Sequence, residues 1–272
     1  MNSKNFVVPM LITPANSCLT NKNLEDSNVS IVSYKLSSLL IKPGFELLEN
    51  LASLQQYVGW TKKIVLDASD LLKNSNDEYV LLCAFSGAKY KYFAEQIINL
   101  INNLKPDILL LPNSITNFEL DIWSKNIKTA ICFMPYTIDV NHAFGVHYLF
   151  HGDKNSLKEF LENNHTRSKY VYGDLNQDII QVLRAHNNLY VESNLAALDG
   201  FNGTVYTTQG AINVLDPKLK SNFNLIDESC NCQTCMNKFT LAYLHHLFLN
   251  TPLLCQRLLI LHNIYNQNHQ FL

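Results

Sequence analysis

Near the C-terminal end the chain reads "DESCNCQTCMNK", which places Cys230, Cys232 and Cys235 in the pattern C-x-C-x2-C. Zinc binds thiolates well and takes four ligands at tetrahedral corners, with three Cys and one His a common closed set. One tight turn can supply three thiolates, so a later element must bring the fourth ligand. His262 lies on an apolar helix pattern beyond a break at Thr251-Pro252, where a helical hairpin would carry it back. His245 and His246 stand between and are alternatives, one of the pair pointing to the core or the metal and the other to solvent. A redox device would read C-x2-C beside a thioredoxin-like strand and helix, and the third cysteine does not fit that pattern. An iron–sulfur cluster would draw on Cys255 as a fourth thiolate, but "PLLCQRLL" reads as a core helix. Clustered free thiols are prone to oxidation. The spacing therefore predicts a structural zinc whose filled shell leaves no corner for a catalytic water.

Elements must position this knot and anything else that reacts. Strand patterns are "SIVSYK", "KIVLDAS", "YVLLCAFS", "DILLLPN", "TAICFMP", "HAFGVHYLF", "KYVYGD" and "NLYVESN". They are rich in Val, Ile, Leu and Tyr and several end in Asp, Asn, Ser or Gly, as buried parallel strands with functional loops do. Helix patterns alternate with them. "PGFELLENLASLQQYVGW" sets Leu47, Leu48, Leu51 and Leu54 on one face after Pro43. "KYFAEQIINLINNL" does the same with Phe93, Ile97, Leu100, Ile101 and Leu104. "NSLKEFLENN" and "NQDIIQVLRAHN" repeat the pattern between polar caps. The alternation predicts a parallel α/β fold, and about eight strands favours a closed barrel. After residue 200 the rhythm changes. "NGTVYTTQGAINVLD" predicts a hairpin turning at Gln209-Gly210, then come the cysteines and two helices, "KFTLAYLHHLFLN" and "LLCQRLLILHNIYNQ".

The composition agrees. The chain has 272 residues, 47% apolar and 16% charged, enough for one large domain with a sizeable core. An α/β barrel needs about 250 residues. The longest apolar runs are too short to span a bilayer. The start shows no secretory pattern, so the expected location is the cytoplasm. Seven cysteines, an odd count at uneven spacing, argue against a secreted disulfide framework. Cys83 and Cys132 fall in apolar runs and read as core. A net charge of −2 gives no sign of the basic face that autonomous nucleic-acid binding needs.

The C-terminal stretch "DESCNCQTCMNKFTLAYLHHL…LLILHN" closely resembles the zinc-binding end of the tRNA-guanine (queuine/archaeosine) transglycosylases. The match covers the Asp-Glu-x-Cys-x-Cys-x-x-Cys entry, the Ala-Tyr-Leu-His-His-Leu helix and the His-Asn pair. Upstream, "NGTVYTTQGAINVLD", "LIKPGFELLENLASLQQYVGWTKKIVLDAS" and "FVVPMLITPA" look like ordered but diluted family segments. The resemblance implies a TIM-type (β/α)8 barrel, here partly reduced, over residues 1–225. It implies a zinc-binding helical subdomain over 226–272, with Cys230, Cys232, Cys235 and His262 as the Zn2+ ligands.

Base exchange on a ribose needs a nucleophilic carboxylate, a second acid for protons on the base, and a polar floor for a flat heterocycle. By the resemblance the nucleophile position holds Glu192, in "VESNLAAL", where the family has Phe-Asp-Cys-Val-x-Pro-Thr-Arg. Glu is one methylene longer than Asp, and its Glu-Ser pair resembles the non-catalytic subunit of the eukaryotic queuine enzyme. Asp-Ser-Gly-Gly-Phe-Gln becomes "DASDLL", which keeps Asp67 but replaces glycines with Ser69 and Asp70. The base-reading acid becomes Asn113, which hydrogen-bonds but does not titrate. Gly145 in "FGVHYLFHG" and Gly173 in "YGDLNQD" are what remains of two Gly-rich substrate loops. The chain looks shorter than the family, chiefly between Asp67 and Asp107. For Asp67 and Glu192 a plain strand-end carboxylate is the favoured reading over catalysis.

The expected protein is thus transglycosylase-like, catalytically impaired or accessory, forming a homodimer or a heterodimer with a catalytic transglycosylase. Its zinc subdomain would make that contact, since Asp227, Glu228, Lys238 and Arg257 sum to zero charge there. A tRNA partner follows from the resemblance and not from the net charge. The alternatives are an active divergent transglycosylase, with Glu192 as nucleophile and Asp67 as general base, and a zinc-stabilised barrel with an unrelated small-molecule role.

Overall fold

A computed structural model of the chain describes residues 6–11, 18–128, 130–138 and 142–271. Eight parallel strands make the central sheet: β1 (Phe6–Val8), β2 (Ile31–Lys35), β3 (Lys63–Asp67), β6 (Ile108–Leu110), β7 (Ile131–Pro135), β8 (Gly145–Phe150), β9 (Lys169–Gly173) and β10 (Leu189–Glu192). Their order is β1-β10-β9-β8-β7-β6-β3-β2. The ends meet just past β1, where Met10 bridges Ser33 in parallel. There Ser33 N donates to Pro9 O at 3.0 Å and Leu11 N donates to Ser33 O at 3.0 Å. The sheet therefore closes into the expected TIM-type barrel, and none of its eight strands is missing. In "FVVPMLITPA", residues 12–15 lie outside the described residues.

One strand pattern has another destination. "YVLLCAFS" supplies β4 (Tyr79–Leu82), which pairs antiparallel with β5 (Lys89–Tyr92) as a hairpin outside the barrel. The apolar run hides its partner, because β5 alternates Lys89 and Lys91 with Tyr90 and Tyr92 and so carries a weak apolar signal. The pattern "PGFELLENLASLQQYVGW" is likewise two helices, Phe45–Glu49 and Leu54–Val58. Ser53 caps the second by accepting Gln56 N at 3.1 Å. A good N-cap in mid-pattern starts a new helix where apolar spacing alone runs on.

Helices pack on the outside of the strands. In the helix Ala94–Leu104 the residues Ile97, Ile98, Leu100, Ile101 and Leu104 are buried, whereas Phe93 sits outside the helix and is exposed. Helix Lys154–Asn163 starts at Asp153 and helix Gln177–Leu183 at Asn176, each cap accepting a backbone N–H. Inside the barrel a separate apolar cluster holds Val8, Ile31, Val65, Ile108, Leu110, Phe133, Tyr170 and Tyr172.

Beyond the barrel, β11 (Thr204–Thr207) and β12 (Gly210–Asn213) form the predicted hairpin. The turn residues are Thr208 and Gln209, one place earlier than the sequence suggested. The helices Leu241–Asn250 and Pro252–Phe271 follow. A third apolar cluster joins Val205 and Val214 to Cys232, Cys235, Leu244, Cys255 and Leu259. The terminal helix also faces the barrel, with Ile260 and Ile264 in the main core. Cys83, Cys132 and Cys255 are buried, as expected.

Candidate functional site

Side chains alternate along a strand, so every second residue faces the barrel axis. The inward series of β2 is Ile31, Ser33, Lys35; that of β3 ends Val65, Asp67; that of β10 ends Tyr190, Glu192. Each series becomes polar towards the C-terminal strand ends, the face where α/β barrels place their sites. In register Lys35 pairs with Asp67, and Glu192 pairs with Val8 of the intervening first strand.

Four ionisable side chains meet there: Lys35, Asp67, Asp70 and Glu192. Lys35 Nζ lies 3.8 Å from Asp67 Oδ2 and 3.6 Å from Asp70 Oδ2. Asp67 Oδ1 accepts Ser69 N at 2.8 Å, and Asp70 Oδ2 accepts Ser37 Oγ at 2.7 Å. Tyr170 donates its hydroxyl to Glu192 Oε2 at 2.6 Å. Asp67 is fully buried, and its Oδ2 and Glu192 Oε1 have no hydrogen-bond partner. Burial raises the Asp67 carboxyl above its ordinary range despite the opposing pull of Lys35. Burial, then repulsion from Asp67, pushes Glu192 up to about 7. Burial works against the charge on Lys35, but Asp67, Asp70 and Glu192 outweigh it and raise its pKa. One cation thus faces two enclosed carboxylates that disfavour ionising together.

Above them opens a cleft of about 400 Å³, lined among others by Lys35, Ser69, Asp70, Asn113, Tyr172 and Glu192. Gly173 lines it too. Its φ of +114° suits glycine, and a Cβ there would meet Phe150 O at 2.4 Å. The structure thus brings Glu192, Asn113 and Gly173 to one cleft and seals Asp67 beneath it. It does not bring Gly145. That residue opens β8 at the opposite, N-terminal end of the barrel, and a Cβ there would meet the Phe133 ring at 2.5 Å. Gly145 makes room for a ring in the barrel floor and is no part of the cleft. The sequence reading missed Lys35, Tyr170, Tyr172 and His147. The period-2 series of each strand carried the signal, since Lys35 and His147 are ionisable residues at inward positions.

The second site is the cysteine knot. Cys230, Cys232, Cys235 and His262 place their ligand atoms within 4.8 Å of one another. His262 Nδ1 stands 3.7, 3.4 and 3.3 Å from the three sulfurs in chain order. A tetrahedral zinc with ordinary bond lengths would set sulfur and nitrogen about 3.6 Å apart, so the set fits. His262 Nε2 donates to Tyr206 O at 2.7 Å, which leaves the Nδ1 lone pair for a metal. Thr234 Oγ1 donates to Leu258 O at 2.6 Å and ties the knuckle to the terminal helix. The alternatives fall away on position. His245 bonds Val214 O at 2.7 Å, His246 is exposed beside Asn250, and Cys255 is buried with Sγ on Leu244 O. Four such ligands could hold one zinc in a closed, structural shell. Asn263 binds at the next position. Its Oδ1 accepts Tyr206 N at 3.0 Å, and its Nδ2 donates to Ala196 O at 3.1 Å and Thr204 O at 2.9 Å.

An eight-stranded parallel barrel that carries a Cys3His knot on an appended hairpin and helix pair is a narrow class of protein. Residues 190–271 match the family model described as queuine tRNA-ribosyltransferase, TGT. Queuine tRNA-ribosyltransferase of Caldanaerobacter subterraneus subsp. tengcongensis is 23% identical over 301 residues, which span 91% of this chain and 79% of that relative. The protein of that name from Lawsonia intracellularis is 24% identical over 89% of this chain and 78% of its own length. A third, from Clostridium perfringens, is 42% identical over 74 residues, 27% of this chain and 19% of that protein. The chain is thus similar to queuine tRNA-ribosyltransferases over most of its length and matches their family model over residues 190–271. No helix among the described residues is long and apolar enough to cross a membrane.

Proposed function

We propose that this is a tRNA-guanine transglycosylase-like protein of queuosine-type tRNA modification, impaired in catalysis and acting as an accessory subunit in the cytoplasm. The state of its two carboxylates carries the reading. A nucleophile must be ionised and free to reach an anomeric carbon. Glu192 is held by Tyr170 at 2.6 Å and its pKa is pushed up to about 7. Asp67, the other acid, is fully buried beneath Lys35 and Ser69. In this reading residues 1–225 are the barrel domain and 226–272 the zinc-binding helical subdomain. The subdomain contacts a second copy or a catalytic transglycosylase. Its exposed Met236, Leu249, Leu253 and Leu254 and its balanced charge favour protein contact over phosphate contact. The test is incubation of the purified protein with tRNA and labelled guanine, alone and with a catalytic family member. The expected result is no incorporation alone and altered rate or affinity in the mixture. Incorporation by the protein alone would sink the reading.

One observation favours a second reading, an active divergent transglycosylase with Glu192 as nucleophile and Asp67 as general base. Glu192 lines the cleft, and its Oε1 is without a hydrogen-bond partner. That mechanism requires incorporation that disappears in Glu192→Gln.

A further inference from the structure

Behind the cleft wall runs a chain of hydrogen bonds that no catalytic reading uses. His147 is buried, and its Nε2 lies 2.9 Å from Leu111 O. A backbone carbonyl only accepts, so Nε2 carries the proton and donates. Burial lowers the ring's pKa to about 4, so the ring is neutral and Nδ1 is left as an acceptor. The Tyr172 hydroxyl stands 3.5 Å from that Nδ1 and can satisfy it only by donating. A hydroxyl whose proton is committed must accept from its other neighbours. It accepts from the Ser69 side chain and from the Asn113 amide, with Nδ2 at 3.0 Å from the Tyr172 oxygen. Each link fixes the next: carbonyl, imidazole, phenol, amide.

We propose that His147 and Tyr172 are positioning residues that lock the Asn113 amide in one orientation, with Nδ2 turned to Tyr172 and Oδ1 left to the cleft. Asn113 is exposed on the cleft wall, so its free carbonyl meets whatever enters. The site then selects a flat ligand that presents an N–H donor at this wall and rejects an isostere with an acceptor there. A free amide would rotate by half a turn and bind either. A locked one cannot do so without leaving a buried group unpaired. The selection of a base rests on the transglycosylase-like reading above; the locked polarity does not.

Two measurements on the full-length protein separate these. Long-range proton–nitrogen NMR with labelled histidine reads the His147 tautomer directly. The expected state at neutral pH is a neutral ring protonated on Nε2, and a ring protonated on Nδ1 would reverse the chain and overturn the proposal. Calorimetry then compares guanine, which donates from N1, with 6-O-methylguanine, whose N1 accepts. The wild type is expected to prefer guanine by at least about tenfold, and Tyr172→Phe to bring the ratio close to one. An unchanged ratio in Tyr172→Phe would also overturn it, because a hydroxyl that merely packs would weaken both probes alike. Failure of the wild type to bind either probe would count against the base-binding reading, and the tautomer would still decide the polarity.

Discussion

Glu192 shows how much one side chain's surroundings decide. The sequence placed a carboxylate at the tenth strand's end, but it could not show that Tyr170, Asp67 and burial would surround it. Raising a carboxyl from an ordinary 4.5 to about 7 has a thermodynamic sign. The folded protein holds the proton more tightly than the unfolded chain. The cost of ionising Glu192 is therefore absent below about 4.5 and fully felt above about 7, so stability falls as pH rises through that window. A shift of this size corresponds to about 3 kcal/mol. Glu192→Gln resembles the protonated side chain and is expected to be more stable than wild type at pH 8 by up to that amount, the gap narrowing at pH 5. Urea unfolding at the two pH values measures it, and a gap that does not change with pH would mean that the carboxyl is not raised. Lys35 was not legible as a partner, because its role depends on parallel register with Asp67, which no local pattern encodes.

At the scale of elements, legibility followed the strength of the local signal. The knot was readable because three cysteines in one turn have few innocent explanations, and the two helices behind it because their apolar spacing is long and breaks at Thr251-Pro252. The hairpin Tyr79–Tyr92 was misplaced for the converse reason: a four-residue apolar strand says nothing about which strand it will pair with. Asn263 sat unremarked in the His-Asn pair, yet it joins the terminal helix to β11 and to the helix Leu195–Phe201 with three hydrogen bonds. Asn263→Ala would leave buried backbone groups without partners at about 1–3 kcal/mol each. Its expected effect is a loss of several kcal/mol, read by chemical denaturation. A loss under about 1 kcal/mol would show that water replaces the amide.

For the whole molecule, the terminal helix and β11 join the knot to the barrel, so disturbance at the knot should spread in a limited way. Removing zinc from the loaded protein with 1,10-phenanthroline is expected to release one equivalent. It should speed hydrogen exchange at residues 230–236 and along Pro252–Phe271, while β6 and β7 stay protected. Unchanged exchange in the terminal helix would mean that packing alone holds it. The fold class was legible from alternation of strand and helix, and the functional end of the strands from their closing Asp, Asn, Ser or Gly residues. What a pocket would seal, as it seals Asp67, was not.

The way the sheet closes also sets the order in which the molecule can assemble. Residues 6–8 form the first strand of the sheet, yet they pair with residues 190–192, and past them Met10 bridges Ser33 of the second strand. Pairings between residues far apart in sequence form slowly, because a long loop must be closed before any contact repays it. During synthesis the first strand therefore waits, with one edge unpaired, until the last barrel strand emerges. The terminal helix, which packs against the first strand, arrives later still. Completion of this barrel is a late event, and the helix packed against its first strand is the one that carries His262 of the knot.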